Sequence, residues 1–544
     1  MATQTSTNGV SAPNQRPRRD WSTKIPPGRW DYIVIGSGMG GMTTAALLAK
    51  LGKRVLVLEQ HYVPGGFTHA FKRKSWEWDV GVHADGEVTR HSMTGRLLDK
   101  LTDGRLEWAS LGEVYDEFHY PDDFRIDFPD TPEKFRRNLV AAFPQEEKAI
   151  DAYLGYVREV SGAMKGYYLA RTAPPGTVGK AADLFLGRKA RNLLQQRTSE
   201  VVAKLTDDPR LRAVFCAQWG YYGAPPSRAS FAMQALVVKH FMWGGYYPVG
   251  GSKRIAAELL RTVAESGGWT CIRADVEEIL VRGGEARGVR LDDGREVEAD
   301  NIVSAAGVSS TVRRLLPAQH RSEDWSQGIE ALDPGPAHVC LYLGFEGDIR
   351  KAGATAANKW FYNTWDPEAE TWPVAGETLD EAPVLYCSFP SLKDPLHDGG
   401  ERELHTGEVV TFVPWKDFDQ WRDERWQKRG EDYESFKSRV EKSLLEQFLR
   451  HMPELEPYIR HVELSTPVST HHFCRPVHGS IYGLEPTPER FSNPHLRPRA
   501  PIKKLFFSGS EVATVGVIGA MMGGVLAATS AEPIAAVDYL RKAT

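Results

Sequence analysis

The sequence predicts an α/β fold, in which helices cover a mostly parallel β-sheet. Near the N-terminus, the apolar run 31–35 ends in a glycine-rich turn, a helical pattern covers 39–51, and a second apolar run covers 54–58. A strand, a helix and a strand joined this closely pair in parallel. Four strand-like runs separated by turns fill 270–305, and the apolar run 505–509 leads into a second glycine-rich helix.

The composition excludes several classes of protein. Of the 544 residues, 41% are hydrophobic and 25% are charged, which is typical of a globular chain. The net charge of −4 offers no basic footprint for nucleic acid. Five widely spaced cysteines argue against a disulfide framework or a structural zinc site and favour a reducing compartment, so we expect a cytoplasmic protein.

The first residues and one apolar run raise the question of membrane contact. Residues 1–29 are polar, with five basic residues against one acidic residue, and we expect a disordered basic leader. The alternative is a basic arm that contacts anionic lipid. The run 512–528 is shorter than the roughly 20 residues that a bilayer requires and holds four glycines, so we predict a buried glycine-rich turn and helix. Peripheral membrane contact stays an alternative.

The turn after the first strand carries G-x-G-x-x-G over residues 36–41, with Gly40 at one of the variable positions. Gly36 permits the tight turn, Gly38 lets the backbone approach a pyrophosphate, and Gly41 lets the helix pack closely on the strand. Glu59 ends the second strand at the spacing of an acid that accepts hydrogen bonds from a ribose. Together these features predict a Rossmann-type site for a dinucleotide.

Segments further along the chain favour FAD over NAD as the dinucleotide. A glycine pair follows the ribose acid, and a strand near the C-terminus leads into an acid and a second glycine-rich helix start. Two phosphate-facing helix starts from opposite ends of the chain suit an extended FAD better than NAD. No second complete fingerprint is present, so NAD(P)H is a candidate only as an external electron donor. Further predicted FAD contacts are Gly65, Gly66, Val276, Gly509, Glu511 and Gly516.

Several longer motifs are spread over the chain, at 36–41, 64–66, 79–83, 225–231, 246–252 and 516–524. With these motifs the sequence resembles, over its full length after the leader, the flavoprotein family of retinol saturases, carotenoid isomerases and bacterial phytoene desaturases. P-P-S-x-x-S-F followed by G-G-Y-Y-P-x-G-G is most similar to the retinol saturase branch. The resemblance implies a lipophilic polyene substrate taken from a membrane.

The resemblance also implies a discontinuous FAD-binding domain with an inserted α+β substrate domain. Helical spacing over 130–215 and mixed strands and loops over 335–415 guide the division of the insert. We assign 30–115, 235–325 and 495–544 to the FAD-binding domain, 116–234 to the helical part of the substrate domain, and 326–494 to its sheet part.

The flavin carries a hydride, so a saturase also requires a proton for the neighbouring carbon. The candidate donors are His83, His240, Tyr247, His472 and Tyr482. For each of them, the alternative is an ordinary structural role. After D-x-G-x-H the family usually has an aromatic and then an apolar residue, whereas this chain has Ala84-Asp85. A buried Asp85 would be a further candidate, because burial raises the pKa of a carboxyl group.

Two clusters carry weaker hypotheses. His471 and His472 with their neighbours suggest a metal site, but adjacent residues of a strand point to opposite faces, so we expect no metal. A group of aromatic residues either lines a tunnel for a long apolar substrate or packs as ordinary core. Its members are Trp219, Tyr221, Tyr222, Phe231, Phe241, Trp243, Tyr246 and Tyr247.

Three functions remain. The first is an FAD-dependent saturase that reduces one double bond of a retinoid, a carotenoid or an unsaturated lipid. The second is a polyene cis–trans isomerase or a desaturase on the same scaffold. The third is a non-catalytic prenyl-lipid binding protein, as in the Rab escort relatives of this fold. The third is disfavoured, because such proteins tolerate loss of the flavin motifs and this chain keeps them.

Overall fold

Two large β-sheets form the framework of the protein, and a computed structural model describes residues 20–174 and 176–543. The strands of the first sheet are β1 (Trp21–Ser22), β2 (Trp30–Ile35), β3 (Val55–Glu59), β10 (Trp269–Ile272), β11 (Val276–Arg282), β12 (Glu285–Leu291), β13 (Glu296–Ser304) and β19 (Leu505–Phe507). Their order is β1-β10-β3-β2-β13-β12-β11, and β19 also pairs with β13. All pairs are parallel except those of β11 and β12.

Helices cover this sheet because its strands are apolar on both faces. Tyr32 and Val34 of β2 face one layer, whereas Ile33 and Ile35 face the other. The first layer contains α1 (Met39–Lys50), α2 (Met93–Leu101), α10 (Lys253–Glu265), α17 (Gly516–Ala531) and α18 (Pro533–Ala543). The second contains α11 (Val308–Ser310), α12 (Ala318–Arg321) and α13 (Asp324–Glu330), and apolar residues of β11 and β12 pack into the core on this side. The α/β prediction is confirmed.

The second large sheet has seven strands. They are β7 (Val114–Tyr120), β8 (Phe124–Pro129), β14 (Ala337–Glu346), β15 (Asn358–Tyr362), β16 (Val384–Ser388), β17 (Leu404–Val413) and β18 (Ile459–Ser465). Their order is β18-β14-β17-β16-β15-β7-β8, and only β15 and β7 pair in parallel. Two small hairpins are formed by β4 (Ala70–Arg73) with β5 (Trp76–Asp79) and by β6 (Trp108–Ser110) with β9 (Tyr246–Pro248).

Helices also cover both faces of the second sheet. One layer contains α3 (Pro132–Ala142), α4 (Glu147–Arg171), α5 (Thr177–Phe185), α6 (Arg188–Leu194), α7 (Thr198–Leu205), α8 (Pro209–Phe215) and α9 (Phe231–His240). The other is built on α14 (Gly430–His451). The short helices α15 (Pro467–Cys474) and α16 (Pro488–Ser492) connect the second sheet back to the first.

Two expectations are corrected by these elements. Residues 116–129, which we placed with the helical part, form β7 and β8 instead, because their aromatic and aliphatic residues alternate with period two around a turn at Asp122 and Asp123. Residues 20–29, which we expected in a disordered leader, are ordered, since β1 pairs with β10 and Arg29 lies 2.7 Å from Asp300. The rest of the predicted leader, residues 1–19, lies outside the described residues.

The predicted apolar run at 512–528 forms the turn before α17 and most of that helix, and it is largely buried, as expected. Within residues 20–174 and 176–543, no helix has both the length and the apolar character needed to cross a bilayer. The division of the chain into an FAD-binding and a substrate domain stays a prediction.

Candidate functional site

A cavity of about 280 Å³ lies where the parallel strands of the first sheet end. Its walls come from the segments that follow β2, β3, β10, β13 and β19, together with residues 473–483. In α/β proteins, ligands bind outside the carboxyl ends of the strands, where the connections leave a crevice. The position of this cavity therefore marks it as the candidate site.

The turn between β2 and α1 brings the backbone to the cavity wall. Gly36 has a φ of +91°, a left-handed conformation that glycine adopts readily. A Cβ atom on Gly38 would meet no protein atom within 4 Å, so this position leaves open space. A Cβ atom on Gly41 would lie 2.1 Å from the carbonyl oxygen of Gly36, and one on Gly40 would lie 2.5 Å from the Cα of Gly509. The start of helix α1 therefore packs closely on Gly36 and on Gly509 only because residues 40 and 41 are glycines.

Glu59, at the end of β3, holds the turn together. Its Oε2 accepts hydrogen bonds from the backbone N–H (2.9 Å) and the hydroxyl (2.6 Å) of Ser37, and its Oε1 accepts one from the N–H of His61 (2.8 Å). The Ser37 hydroxyl accepts a bond of 3.0 Å from the N–H of Gly65. A carboxylate oxygen has two acceptor sites, so Oε1 of Glu59 keeps one for a ligand hydroxyl.

The C-terminal segment forms the opposite side of the cavity. A Cβ atom on Gly509 or Gly516 would meet no protein atom within 4 Å. Oε2 of Glu511 accepts a hydrogen bond of 2.9 Å from the N–H of Ser309, which holds the loop after β13. Helices α1 and α17 both begin at the cavity, and no side chain caps their first N–H groups. Such uncapped helix starts are donors for anionic groups.

Most of the predicted cofactor contacts meet at this cavity. Those that line it are Gly36, Gly38, Gly40, Glu59, Gly66, Val276, Gly509, Glu511 and Gly516. Gly41 and Gly65 lie behind the wall, at the contacts described above. The sequence analysis missed Asp275, Arg314 and Arg475, which also line the cavity. Arg475 and Asp275 form an ion pair of 2.6 Å, and no local motif marked either residue.

Of the predicted proton donors, His83 and Tyr482 line the cavity. The hydroxyl of Tyr482 donates to the carbonyl oxygen of Gly220 at 3.0 Å. Nδ1 of His83 lies 2.8 Å from Oε2 of Glu408, a fully buried residue of β17. Burial lowers the pKa of His83 to about 3, with a further contribution from the charge of Lys393. Burial raises the pKa of Glu408 to about 8, so at neutral pH the proton of this pair is on the carboxyl group.

Comparison with known proteins decides the family. Residues 39–531 match the family described as flavin containing amine oxidoreductase, which is most of the chain. The chain belongs to this family. Cyclohexylamine oxidase from Brevibacterium oxydans has the same fold, with a TM-score of 0.60 and 16% identity over 94% of this chain and 100% of that one. An oxidoreductase from Methanosarcina mazei has a TM-score of 0.59 and 14% identity over 91% and 98% of the two chains.

Several named proteins are more similar to this chain in sequence than these two structures are. All-trans-retinol 13,14-reductase of Danio rerio is 32% identical over 91% of this chain and 84% of the relative. The human protein of the same name is 30% identical over 94% and 87%. Prolycopene isomerase of Daucus carota is 25% identical over 84% and 72%. The resemblance predicted from the motifs is confirmed.

The residues of the cavity fit the flavin cofactor of this family. Open space at Gly38, Gly509 and Gly516, next to the starts of α1 and α17, suits a pyrophosphate. The free acceptor site of Glu59 suits a ribose hydroxyl. These observations support FAD, in agreement with the family.

Asp85 and His240 form a pair away from the cavity wall. Asp85 is buried, and burial raises its pKa well above the ordinary value. Nε2 of His240 accepts a hydrogen bond of 2.7 Å from the N–H of Gly86 and lies 4.0 Å from Oδ1 of Asp85. A role for either residue as a proton donor stays a prediction.

Tyr247 and His472 also lie off the cavity wall. The Tyr247 hydroxyl donates to Asp79 in the interior. His472 lies on α15, a helix rather than the strand we predicted, and Pro467 in its first turn is a typical helix start. Its ring stacks on Trp426, with ring centroids 5.9 Å apart. Among the described residues, no group of three or more His, Cys, Asp or Glu side chains is placed to hold a metal ion.

The predicted aromatic group is divided between core and surface. Most of its members, including Trp219 and Phe231, are fully buried in the core between the second sheet and its helices. Trp243 is 63% exposed. None of the eight lines the cavity, so core packing describes this group better than a tunnel wall around that space.

Proposed function

We propose that the protein is an FAD-dependent saturase that reduces one C=C bond of a retinoid, a carotenoid or a related lipophilic polyene. The observation that carries the proposal is the 32% identity to all-trans-retinol 13,14-reductase of Danio rerio over nearly the whole chain. A second relative from that organism, 29% identical, is named an inactive all-trans-retinol 13,14-reductase. Because relatives with both names have similar identities, a direct test of activity is needed to distinguish an active saturase from an inactive one.

FAD, when bound, supplies a hydride to one carbon of the double bond. The turn 36–41 and Glu59 bind and orient the dinucleotide. His83 gives a proton to the neighbouring carbon. Of the two predicted donors that line the cavity, Tyr482 already donates its hydroxyl hydrogen to the carbonyl oxygen of Gly220, which leaves His83. Its Nδ1 is buried against Glu408, so Nε2, on the opposite edge of the ring, is the nitrogen available to a substrate. General acid catalysis of this kind contributes roughly 10²–10⁴-fold to a rate.

A second candidate is cis–trans isomerisation of a polyene. Prolycopene isomerase of Daucus carota, 25% identical over 84% of this chain, favours it. Isomerisation leaves the number of hydrogens in the polyene unchanged, so it differs from saturation in its product and in the final state of the flavin.

Peripheral membrane contact forms part of the proposal, because the substrate class is lipophilic. Residues 178–191 carry an exposed surface, here called the α5 tip. Its exposed apolar residues are Val178, Leu184, Phe185 and Leu186, and its exposed basic residues are Lys180, Arg188, Lys189 and Arg191. Its one acid, Asp183, is paired with Arg497. An apolar surface with a basic rim is typical of contact with anionic lipid.

The test uses the purified flavin-loaded protein under anaerobic conditions. The flavin is reduced photochemically and mixed with all-trans-retinol or with a polyunsaturated fatty acid. We expect the absorbance of oxidised flavin to return as a product two hydrogens heavier forms. Flavin that stays reduced while a geometric isomer forms would favour the isomerase instead. Unchanged polyenes, or a protein that binds no flavin, would contradict both.

The same assay tests His83 as the proton donor and NAD(P)H as the electron donor. We expect His83→Gln to slow the reoxidation of flavin by roughly 10²-fold or more, whereas His91→Gln, at an exposed histidine, leaves it unchanged. Equal rates for the two variants would exclude His83 as the acid. NAD(P)H is the proposed external reductant, and it should bleach the absorbance of oxidised flavin in the dark.

A further inference from the structure

A lysine is buried directly behind the histidine of the cavity wall. Lys393 is 4% exposed, and its ammonium group donates to the carbonyl oxygen of His83 (2.8 Å), to Oδ1 of Asn358 (2.5 Å) and to the hydroxyl of Ser388 (2.7 Å). All three acceptors are neutral. Burial lowers the pKa of Lys393 to about 7, and negative charge on nearby carboxyl groups acts in the opposite direction.

Three buried carboxyl groups interact electrostatically with Lys393: Asp79, Asp116 and Glu408. Asp79 and Asp116 accept hydrogen bonds from side-chain hydroxyl and amide groups. Glu408 has no such side-chain donor among the residues that the structure describes, and both of its oxygens are buried. A buried carboxylate without a side-chain donor is costly, so Glu408 is the member of the three best suited to hold a proton.

We propose that Glu408 supplies the proton that reloads His83, and that Lys393 stabilises the carboxylate left behind. This proposal rests on the saturase function proposed above. The imidazole ring of His83 lies between the cavity and Glu408. Its Nδ1 is 2.8 Å from Oε2 of Glu408, and neither atom has another hydrogen-bond partner among the described residues. Because the side chain of Glu408 is 0% exposed and that of His83 is 14% exposed, the proton of Glu408 reaches the cavity through the imidazole ring.

The step balances in atoms and electrons. One carbon of the double bond takes a hydride, with its electron pair, from the reduced flavin, and the other takes a proton from Nε2 of His83. As Nε2 loses its proton, Nδ1 takes the proton of the Glu408 carboxyl group, so the imidazole changes tautomer and stays neutral. The products are a saturated C–C bond, oxidised flavin and a Glu408 carboxylate. That carboxylate regains a proton from solvent, and the tautomer reverts, before the next turnover.

Other titratable groups surround the pair from each neighbouring element and shape its pH dependence. They are Asp79 of β5, Asp116 of β7, Tyr221 before α9, Tyr247 of β9, His338, Cys340 and Tyr342 of β14, Tyr386 of β16, and Lys393. Burial raises the pKa of Asp79 and of Asp116 to about 6 each. Both are therefore mostly ionised at pH 8, where Glu408 is half protonated.

Infrared spectroscopy of the flavin-loaded protein tests the proposal without activity. Between pH 7 and pH 9 we expect the carbonyl band of a protonated carboxyl group to disappear with a midpoint near pH 8. Glu408→Gln should lack this band, whereas Asp116→Asn, at a buried carboxyl that does not contact His83, should keep it. Lys393→Met should move the midpoint to higher pH, because the positive charge of Lys393 lowers the pKa of Glu408. A purely structural role would leave the midpoint in place.

Single-turnover kinetics supply the second measurement. The rate at which a polyene reoxidises the reduced flavin should fall as pH rises through about 8, since the acid form of Glu408 is required. Glu408→Gln should be slower by roughly 10-fold to 100-fold and lose this pH dependence, while Asp116→Asn retains it. A band that persists in Glu408→Gln, or an unchanged pH profile, would overturn the proposal. Failure of the saturase function gives a different result, in which the wild-type band is present but no polyene reoxidises the flavin, and the proposal then falls with it.

Discussion

Single glycines determine how closely the backbone approaches the cavity, and they do so in two different ways. At Gly38 the space beside the Cα is open and the backbone is extended, with φ of −65° and ψ of 172°, so alanine would fit the protein itself. At Gly41 the corresponding space is filled by the carbonyl oxygen of Gly36. The first glycine leaves room for a ligand, whereas the second leaves room for the chain.

Alanine substitutions separate these two roles. We expect Gly38→Ala to lower the affinity for FAD at least 10-fold while the flavin-free protein keeps its unfolding temperature, because the added methyl group faces only the cavity. Gly41→Ala should lower the unfolding free energy of the flavin-free protein by about 1–3 kcal/mol, as overpacking does. Flavin titration and thermal unfolding measure both.

Gly162→Ala is the matched control, since its site on α4 is exposed and open. It should raise the unfolding free energy by about 0.5–1 kcal/mol and leave flavin binding unchanged. Normal flavin affinity in Gly38→Ala would mean that the dinucleotide does not approach this turn.

For single residues, the sequence was most informative where the spacing of residues within a motif is enough to predict their function. The glycines and Glu59 lie in the wall or directly behind it, at the positions that the fingerprint predicts. Glu408 and Lys393 carried no such signal. Their chemistry comes from burial and from neighbours that are distant in the chain, and neither property can be obtained from a single residue and its local context.

For helices and strands, the period and the length of the hydrophobic pattern determined how well the sequence predicted them. The helical pattern predicted at 39–51 matches α1 (Met39–Lys50) to within one residue, because it is long enough to be recognised. The short segments were harder. Adjacent histidines were placed on a strand, although Pro467 starts a helix there, and β7 and β8 were absorbed into a helical region. Short apolar runs do not distinguish helix from strand by periodicity alone.

The α5 tip gives a prediction at this scale. Replacing Leu184, Phe185 and Leu186 with serine should weaken binding to vesicles of phosphatidylcholine and phosphatidylserine at least 10-fold, because these side chains supply the apolar contact. Vesicle sedimentation measures the binding, and added salt should weaken what remains.

A double change of Ile534 and Val537 to serine is the control, since these residues of α18 are also exposed but lie outside the tip. Binding of the control should equal that of the wild-type protein. If the tip variant also binds like the wild type, the proposed contact surface is wrong.

For the whole molecule, the cavity joins the two ends of the chain. One wall comes from residues 35–83 and another from residues 508–520, and Gly40 and Gly509 cross in close contact. The second sheet adds Glu408 behind His83, next to the cavity wall. A ligand in this cavity therefore contacts segments that are several hundred residues apart, and it can bind only when all of them are folded.

Flavin should accordingly stabilise the protein as a whole. At a free FAD concentration of 100 times its dissociation constant, the unfolding free energy should rise by about 2.7 kcal/mol. Calorimetry of the flavin-free and flavin-loaded protein should show the shift in the main transition. At the same FAD concentration, a 10-fold weaker affinity in Gly38→Ala should reduce the gain to about 1.4 kcal/mol. An unfolding temperature that does not respond to FAD would contradict binding in this cavity.

The sequence by itself determined the α/β class, the dinucleotide fingerprint with its ribose acid, the participation of both chain ends, and the family. These depend on local spacing, which a linear chain records directly. Only the tertiary structure decided which histidine reaches the cavity, that α15 is a helix, and that a carboxyl group and a lysine lie buried behind His83. The physical reason is that protonation depends on desolvation and on nearby charges, and here strands distant in sequence supply both.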